Sequence, residues 1–173
     1  IDKNGWSSGV CIFDVNNDGF EDIYVSRSGP NQDVLTNVLY ENQGDGTFKV
    51  AAEKYGLDIS NHSTQAAPLD IDLDGDLDLY IMGHPKEFNK AVDYQDISTN
   101  INEGNVETDL LLENVGGKYI DITTQAGILE FGYGLGLAIS DVNQDSYPDI
   151  IVCNDFDEPD HLFINRQNNT FKD

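Results

Sequence analysis

The sequence predicts an all-β chain built from repeated four-stranded antiparallel units, and three observations carry that prediction. A nine-residue acidic loop occurs three times, as Asp14-Val-Asn16-Asn-Asp18-Gly19-Phe20-Glu-Asp22, Asp70-Ile-Asp72-Leu-Asp74-Gly75-Asp76-Leu-Asp78 and Asp141-Val-Asn143-Gln-Asp145-Ser146-Tyr147-Pro-Asp149. Each copy runs into Ile23-Tyr-Val25, Leu79-Tyr-Ile81 or Ile150-Ile-Val152, a β-branched and aromatic composition that favours strands. Each loop is then followed by a second element that reads as strand, tight turn, strand.

In the first unit, strand A covers about Gly9 to Phe13, the acidic loop Asp14 to Asp22, strand B Ile23 to Ser26, strand C Val38 to Asn42 and strand D Thr47 to Val50. Asp45-Gly46 joins C to D, a pair that enters hairpin turns readily. The second unit repeats strand C at Asp109 to Asn114 and turns at Gly116-Gly117 before Tyr119; the third repeats it at His161 to Asn165 and turns at Asn168-Asn169 before Phe171. Short linkers ending in Tyr55-Gly56-Leu57 and Ala126-Gly127-Ile128 lead to the next apolar strand. Four antiparallel strands repeated in series are the mark of propeller blades. The units divide at 1–57, 58–128 and 129–173, with the extra length of the second in the connector Gly83 to Thr108.

The loops have the chemistry of metal sites. Oxygen side chains at positions 1, 3, 5 and 9 and a backbone carbonyl at position 7 can converge on one hard cation if the chain turns sharply at position 6. The candidate ligands are Asp14, Asn16, Asp18, Phe20 (carbonyl) and Asp22; Asp70, Asp72, Asp74, Asp76 (carbonyl) and Asp78; and Asp141, Asn143, Asp145, Tyr147 (carbonyl) and Asp149. Ca²⁺ accepts six to eight oxygens in a forgiving geometry, whereas Mg²⁺ demands a near-octahedral one. No Cys or His falls in a loop, which disfavours zinc and copper. An EF-hand needs a Glu at position 12, and here that position holds Val25, Ile81 and Val152.

The three sites are not equal. The second offers four side-chain carboxylates, and the others three with an Asn, so charge predicts tightest binding at the second. In the third, Ser146 replaces Gly at the turn and Pro148 precedes the last ligand. A left-handed non-Gly residue costs of order 1 kcal/mol, which makes this site the weakest.

With 9 basic and 32 acidic residues the formal charge is -23. Such a field repels nucleic acid and anionic lipid, so neither nucleic-acid binding nor membrane insertion is expected. The 39% hydrophobic and 10% aromatic content argues for a packed domain rather than disorder. Cys11 and Cys153 read as small buried hydrophobes.

Asp-x-Asn/Asp-x-Asp-Gly-x-x-Asp, paired with Leu39-Tyr40-Glu-Asn42 and Gly46-Thr-Phe48, resembles the FG-GAP/VCBS repeats of calcium-binding propellers. It is most similar to those of cartilage-acidic-protein-like and ASPIC/UnbV-type extracellular proteins. The Phe-Gly and Gly-Ala-Pro strings survive in degenerate form, as Phe131-Gly132 and Ala66-Ala-Pro68. The resemblance implies a ring of about seven blades of which this chain supplies three, up to three Ca²⁺, and a secreted, periplasmic or cell-surface location. It also implies that a protein or glycan partner docks opposite the metal loops, on the B–C and D–A segments: Arg27 to Thr36, Gly83 to Thr108 with Phe88 and Tyr94, Asn154 to Asp160, Asn61 to Ser63, and Glu130 to Tyr133. The leading functional expectation is a non-catalytic adhesion or recognition module. A polysaccharide lyase or hydrolase and a structural spacer are the alternatives, the former with only the scattered His62, His84 and His161 to offer as acid–base groups.

Overall fold

The computed structural model describes residues 6–29, 35–85, 108–155 and 158–173, and its described strands form three four-stranded antiparallel sheets. The first runs β1 (Ser7–Phe13), β2 (Asp22–Arg27), β3 (Val38–Asn42), β4 (Phe48–Val50) in spatial order. The second is β5 (Ser63–Leu69), β6 (Asp78–Gly83), β7 (Leu110–Asn114), β8 (Tyr119–Asp121), and the third β9 (Gly134–Ser140), β10 (Asp149–Asn154), β11 (His161–Asn165), β12 (Phe171–Lys172). The chain is thus all-β with propeller-like blades, as its repeats predict. Most of the connector 83–108 falls outside the described residues, as do 30–34 and 156–157 within the other two B–C segments.

The blades stack through their A strands, β1 lying against β5 and β5 against β9. Period-two alternation then decides what each blade buries. In β6 every position is buried: Leu79 and Ile81 enter a core with Phe13, Tyr24, Leu39, Tyr55 and Leu57 of the first blade. Their neighbours Tyr80 and Met82 point the other way, into a core with Ile150, Val152, Phe163 and Phe171 of the third. A strand covered on both faces needs a continuous apolar run, and Leu79-Tyr-Ile-Met82 supplies one.

Among the described residues the outer blades have a neighbour on one side only. Register places Ile23 opposite Tyr40 and Asn42 opposite Phe48, where the second blade has Leu79 opposite Leu112 and Asn114 opposite Tyr119. Leu79, Leu112 and Tyr119 are buried against the first blade. Ile23, Tyr40 and Phe48 instead lie in an open groove of about 780 Å³ that also takes in Val10, Val25 and Val50. On the far side, Cys153 is exposed rather than buried, because β10 turns it to the outer face of the third blade. Cys11 is partly buried at the first core, its thiol pushed up to about 12 by burial, and both cysteines are free.

Two details depart from the sequence reading. The linkers after β4 and β8 each contain one turn of helix, α1 (Ala52–Tyr55) and α2 (Thr123–Ala126). Each stops at a left-handed glycine, Gly56 or Gly127, after which Leu57 N–H and Ile128 N–H return to the Ala52 and Thr123 carbonyls; this is the usual glycine-terminated helix end. Leu57 and Ile128 are thereby driven fully into the two cores. The C–D turns also differ: Gly116-Gly117 makes a two-residue turn, but Gln43 and Arg166 donate to Thr47 and Thr170 around three-residue turns.

Truncating Ile81 to Ala should cost about 3 kcal/mol, in the range for buried aliphatic deletions. Val25→Ala, at the equivalent but uncovered position, should cost less than about half of that, and urea denaturation of the two variants measures the difference.

Candidate metal centres

Each acidic loop is shaped by its own first residue. Asp14 Oδ1 accepts from Asp18 N–H at 3.1 Å and Oδ2 from Gly19 N–H at 2.7 Å. Asp70 does the same with Asp74 and Gly75, and Asp141 with Asp145 and Ser146. The side chain at position 3 also caps the position-5 amide, through Asn16, Asp72 and Asn143. Position 5 caps the amide of position 7 in Phe20, Asp76 and Tyr147.

The turn at position 6 is left-handed in all three loops, with φ of 89° at Gly19, 95° at Gly75 and 78° at Ser146. Ser146 adopts the glycine conformation at the steric cost the sequence implies. A second left-handed residue precedes it at position 4, namely Asn17, Leu73 and Gln144 with φ of 57°, 62° and 64°. The sequence gives no sign of this for Leu73 or Gln144, since the conformation favours Gly and Asn.

The ninth-position carboxylate is the most constrained group in each loop. Asp22, Asp78 and Asp149 are at most 2% exposed. Their Oδ2 atoms accept from position 2, Val15, Ile71 and Val142, at 2.9–3.0 Å. Their Oδ1 atoms accept from the last residue of strand C, Asn42, Asn114 and Asn165, at 2.7–2.8 Å. One carboxylate therefore joins the A-strand end, the B strand and the C strand. These Asn residues, visible in the sequence only as a recurrent letter, also cap the C–D turns by accepting from Gly44, Gly117 and Gln167.

The loops differ in how far their negative charge is compensated. In the first and third, Asn16 and Asn143 donate to Asp18 and Asp145 at 3.0 and 3.1 Å, and Gln167 adds a second donor to Asp145. Asp145 is held below the usual carboxylate range, first by Tyr147 N–H. The second loop has no such amide at position 3. Burial and then the neighbouring Asp74, Asp72 and Asp70 push Asp76 up to about 6; burial, outweighing its two amide bonds and joined by Asp72 and Asp76, pushes Asp78 up to about 7.

Carboxylate oxygens of Asp70, Asp72 and Asp78 lie within 4.8 Å of one another, an all-oxygen set that suits a hard divalent cation. Asp74 stands outside that set, its Oδ1 occupied by the Asp76 amide. Among the described residues, neither the first nor the third loop gathers three acidic side chains in this way.

At the opposite end of the strands an aromatic or imidazole ring immediately precedes each A strand. Trp6 is 68% exposed, whereas its equivalents His62 and Tyr133 are buried. His62 Nδ1 lies 3.2 Å from Ser28 Oγ of the preceding blade, and Tyr133 packs edge-on against His84 of its preceding blade at 5.2 Å. Asp109, buried beside them, accepts from Tyr80 Oη at 2.5 Å and Gly83 N–H at 2.7 Å, and burial still pushes its carboxyl up to about 6. His161 pairs with Asp173 at 2.8 Å and stacks on Phe163.

Residues 14–81, from the first acidic loop into β6, match the family model of the FG-GAP-like repeat. A search of curated proteins finds no match to the chain. Among the described residues no helix is long and apolar enough to cross a membrane.

The raised carboxyls of the second loop give a signed pH dependence. In the fold, Asp78 and Asp76 take up protons near 7 and 6, and in the unfolded chain near 4. The folded state thus binds more protons between those limits, and cation-free protein should gain stability as the pH falls from 8 to 5. Thermal melts in chelator across that range test the sign; a loss of stability over it would contradict the loop electrostatics.

Proposed function

We propose that this chain is a calcium-binding propeller module that serves recognition rather than catalysis. The observation that carries the reading is the second loop, where Asp70, Asp72 and Asp78 converge without a compensating donor at position 3. Asp70, Asp72 and Asp78, with Asp74 and the Asp76 carbonyl, would hold the ion. Asp14, Asn16, Asp18, Asp22 and the Phe20 carbonyl, and Asp141, Asn143, Asp145, Asp149 and the Tyr147 carbonyl, would form the lesser sites. A divalent cation supplies positive charge at fixed oxygens, so its role at these loops is structural: it relieves carboxylate repulsion and joins strand A to strand B.

The partners follow from what the blades leave open. The groove on the first blade presents Ile23, Val25, Tyr40 and Phe48, at the positions by which the second blade seats on the first. It fits the back of another blade, as a ring of about seven would provide. Trp6, whose equivalents each touch a preceding blade, agrees with this. A protein or glycan ligand is assigned to the opposite end, at Asn61 to Ser63, Glu130 to Tyr133 and the B–C segments. Kinship with the cartilage-acidic-protein-like subgroup and an extracellular or periplasmic location belong to the same reading, because millimolar external calcium matches the affinity of extracellular sites.

Calcium titration calorimetry and melting curves test the metal. A site held at hundredfold saturation contributes about 2.7 kcal/mol, so chelation should lower the melting temperature by roughly 5–10 °C. Asp72→Ala should remove the tightest site and Asp145→Ala a weaker one. Melts and heats indifferent to calcium would overturn the proposal.

A further inference from the structure

We infer that the cation sites of the second and third blades are coupled and that Asn165 is the residue that couples them; the inference rests on the calcium reading above. A continuous chain of hydrogen bonds runs between the two sites. Asp149 Oδ1 accepts from the Asn165 backbone N–H at 2.8 Å. The Asn165 side-chain Nδ2 then crosses the blade interface and donates to the Ile71 carbonyl at 2.9 Å. Ile71 N–H in turn donates to Asp78 Oδ2 at 2.9 Å. Asp149, Asn165, Ile71 and Asp78 are each at most 2% exposed, so water does not compete for these bonds.

The position of Ile71 gives the chain its leverage. It lies between the candidate ligands Asp70 and Asp72, so its carbonyl belongs to the peptide that carries the Asp72 amide. A cation in the second loop fixes Asp70, Asp72 and Asp78, and with them both peptides of Ile71. Fixing the Ile71 carbonyl fixes the Asn165 side chain, which orders the backbone that holds Asp149. The same turn places Gln167, capped by Asn165 Oδ1, against Asp145 at 3.2 Å. The second ion to bind then pays less ordering cost than the first, which is positive cooperativity.

The equivalent residues serve as internal comparisons. Asn42 Nδ2 donates to the Glu21 carbonyl and Asn114 Nδ2 to the Leu77 carbonyl, each within its own blade. Loops one and two are linked only through an exposed bond of 3.4 Å from Asn17 to the Gly75 carbonyl among the described hydrogen bonds, so their coupling is the weaker.

The test is a double-mutant cycle read by calcium calorimetry on the whole chain, with the first loop silenced by Asp18→Ala. Affinity at the third loop is measured with the second loop intact and with it removed by Asp72→Ala, and the reciprocal measurement uses Asp145→Ala. The two ratios should agree, as linkage requires, at about fivefold or more. In Asn165→Ala, or Asn165→Ser if the first does not fold, the ratio should collapse towards one, and in Asn114→Ala it should persist. A ratio of one in the parent overturns the coupling, and a ratio unchanged by loss of the Asn165 amide overturns the role of Asn165; both leave calcium binding in place. Absence of calcium binding at either loop overturns the calcium reading and the coupling with it.

Discussion

A buried carboxylate bonded to two backbone amides is the interaction on which each blade depends. Asp22, Asp78 and Asp149 stand where three strands meet, and each accepts one amide from the loop and one from strand C. Isolated, a buried carboxylate would be prohibitively costly. Two amide bonds to its ionised form offset part of that cost, and charged hydrogen bonds are worth about 1.5–3 kcal/mol each. Burial raises Asp22 and Asp78 despite these bonds, so the offset is incomplete in the first and second blades. On the proposed reading this residual cost connects the fold to cation binding, since a cation beside the carboxylate would remove it.

The three loops share a backbone and differ in charge. An Asn at position 3 gives the first and third an internal donor to the position-5 Asp. The second has Asp72 there and five carboxylates in nine residues, and it is the blade with a neighbour on each side. Its inner strand β6 carries core residues in both directions. The site with the most unrelieved charge is therefore built into the best-packed blade, where the surrounding core can hold the carboxylates together against their repulsion.

Much of this was legible in the sequence, for a definite reason in each case. The acidic loop residues recur at fixed spacing, and a β-branched run after every ninth-position Asp leaves strand B little alternative, so loops and B strands fall where the pattern puts them. The ordering of the loops by charge was also visible, as a count of Asp against Asn. The sequence does not show what depends on partners distant in the chain, on elements shorter than their own period, or on a φ that the loop imposes. The ninth-position Asp reads as a ligand, but its amide bond to strand C requires knowing that Asn42, Asn114 and Asn165 end the adjacent strand. One turn of helix is too short to show a 3.6-residue period, so α1 and α2 read as linkers. Leu73 carries no hint of its positive φ, because the loop imposes it through the Asp70 cap rather than through a local preference. Residue type places Cys153 in the interior, whereas the stacking order of the blades decides which face of β10 is covered.

The two ends of the strands obey different rules, and the contrast bears on where specificity resides. At the acidic-loop end the same contact recurs in each blade: position 1 caps positions 5 and 6, position 9 caps position 2 and strand C. At the other end, equivalent positions diverge. Trp6, His62 and Tyr133 precede the A strands, Arg27, Gly83 and Asn154 end the B strands, and Ser28, His84 and Asp155 follow them. A contact repeated identically in three blades can build a blade but cannot distinguish one blade from the next. Chemistry that differs from blade to blade makes an asymmetric surface, and an asymmetric surface is what a specific partner requires. On the proposed reading, the cations hold the repeated ends in register so that the divergent ends present a fixed arrangement.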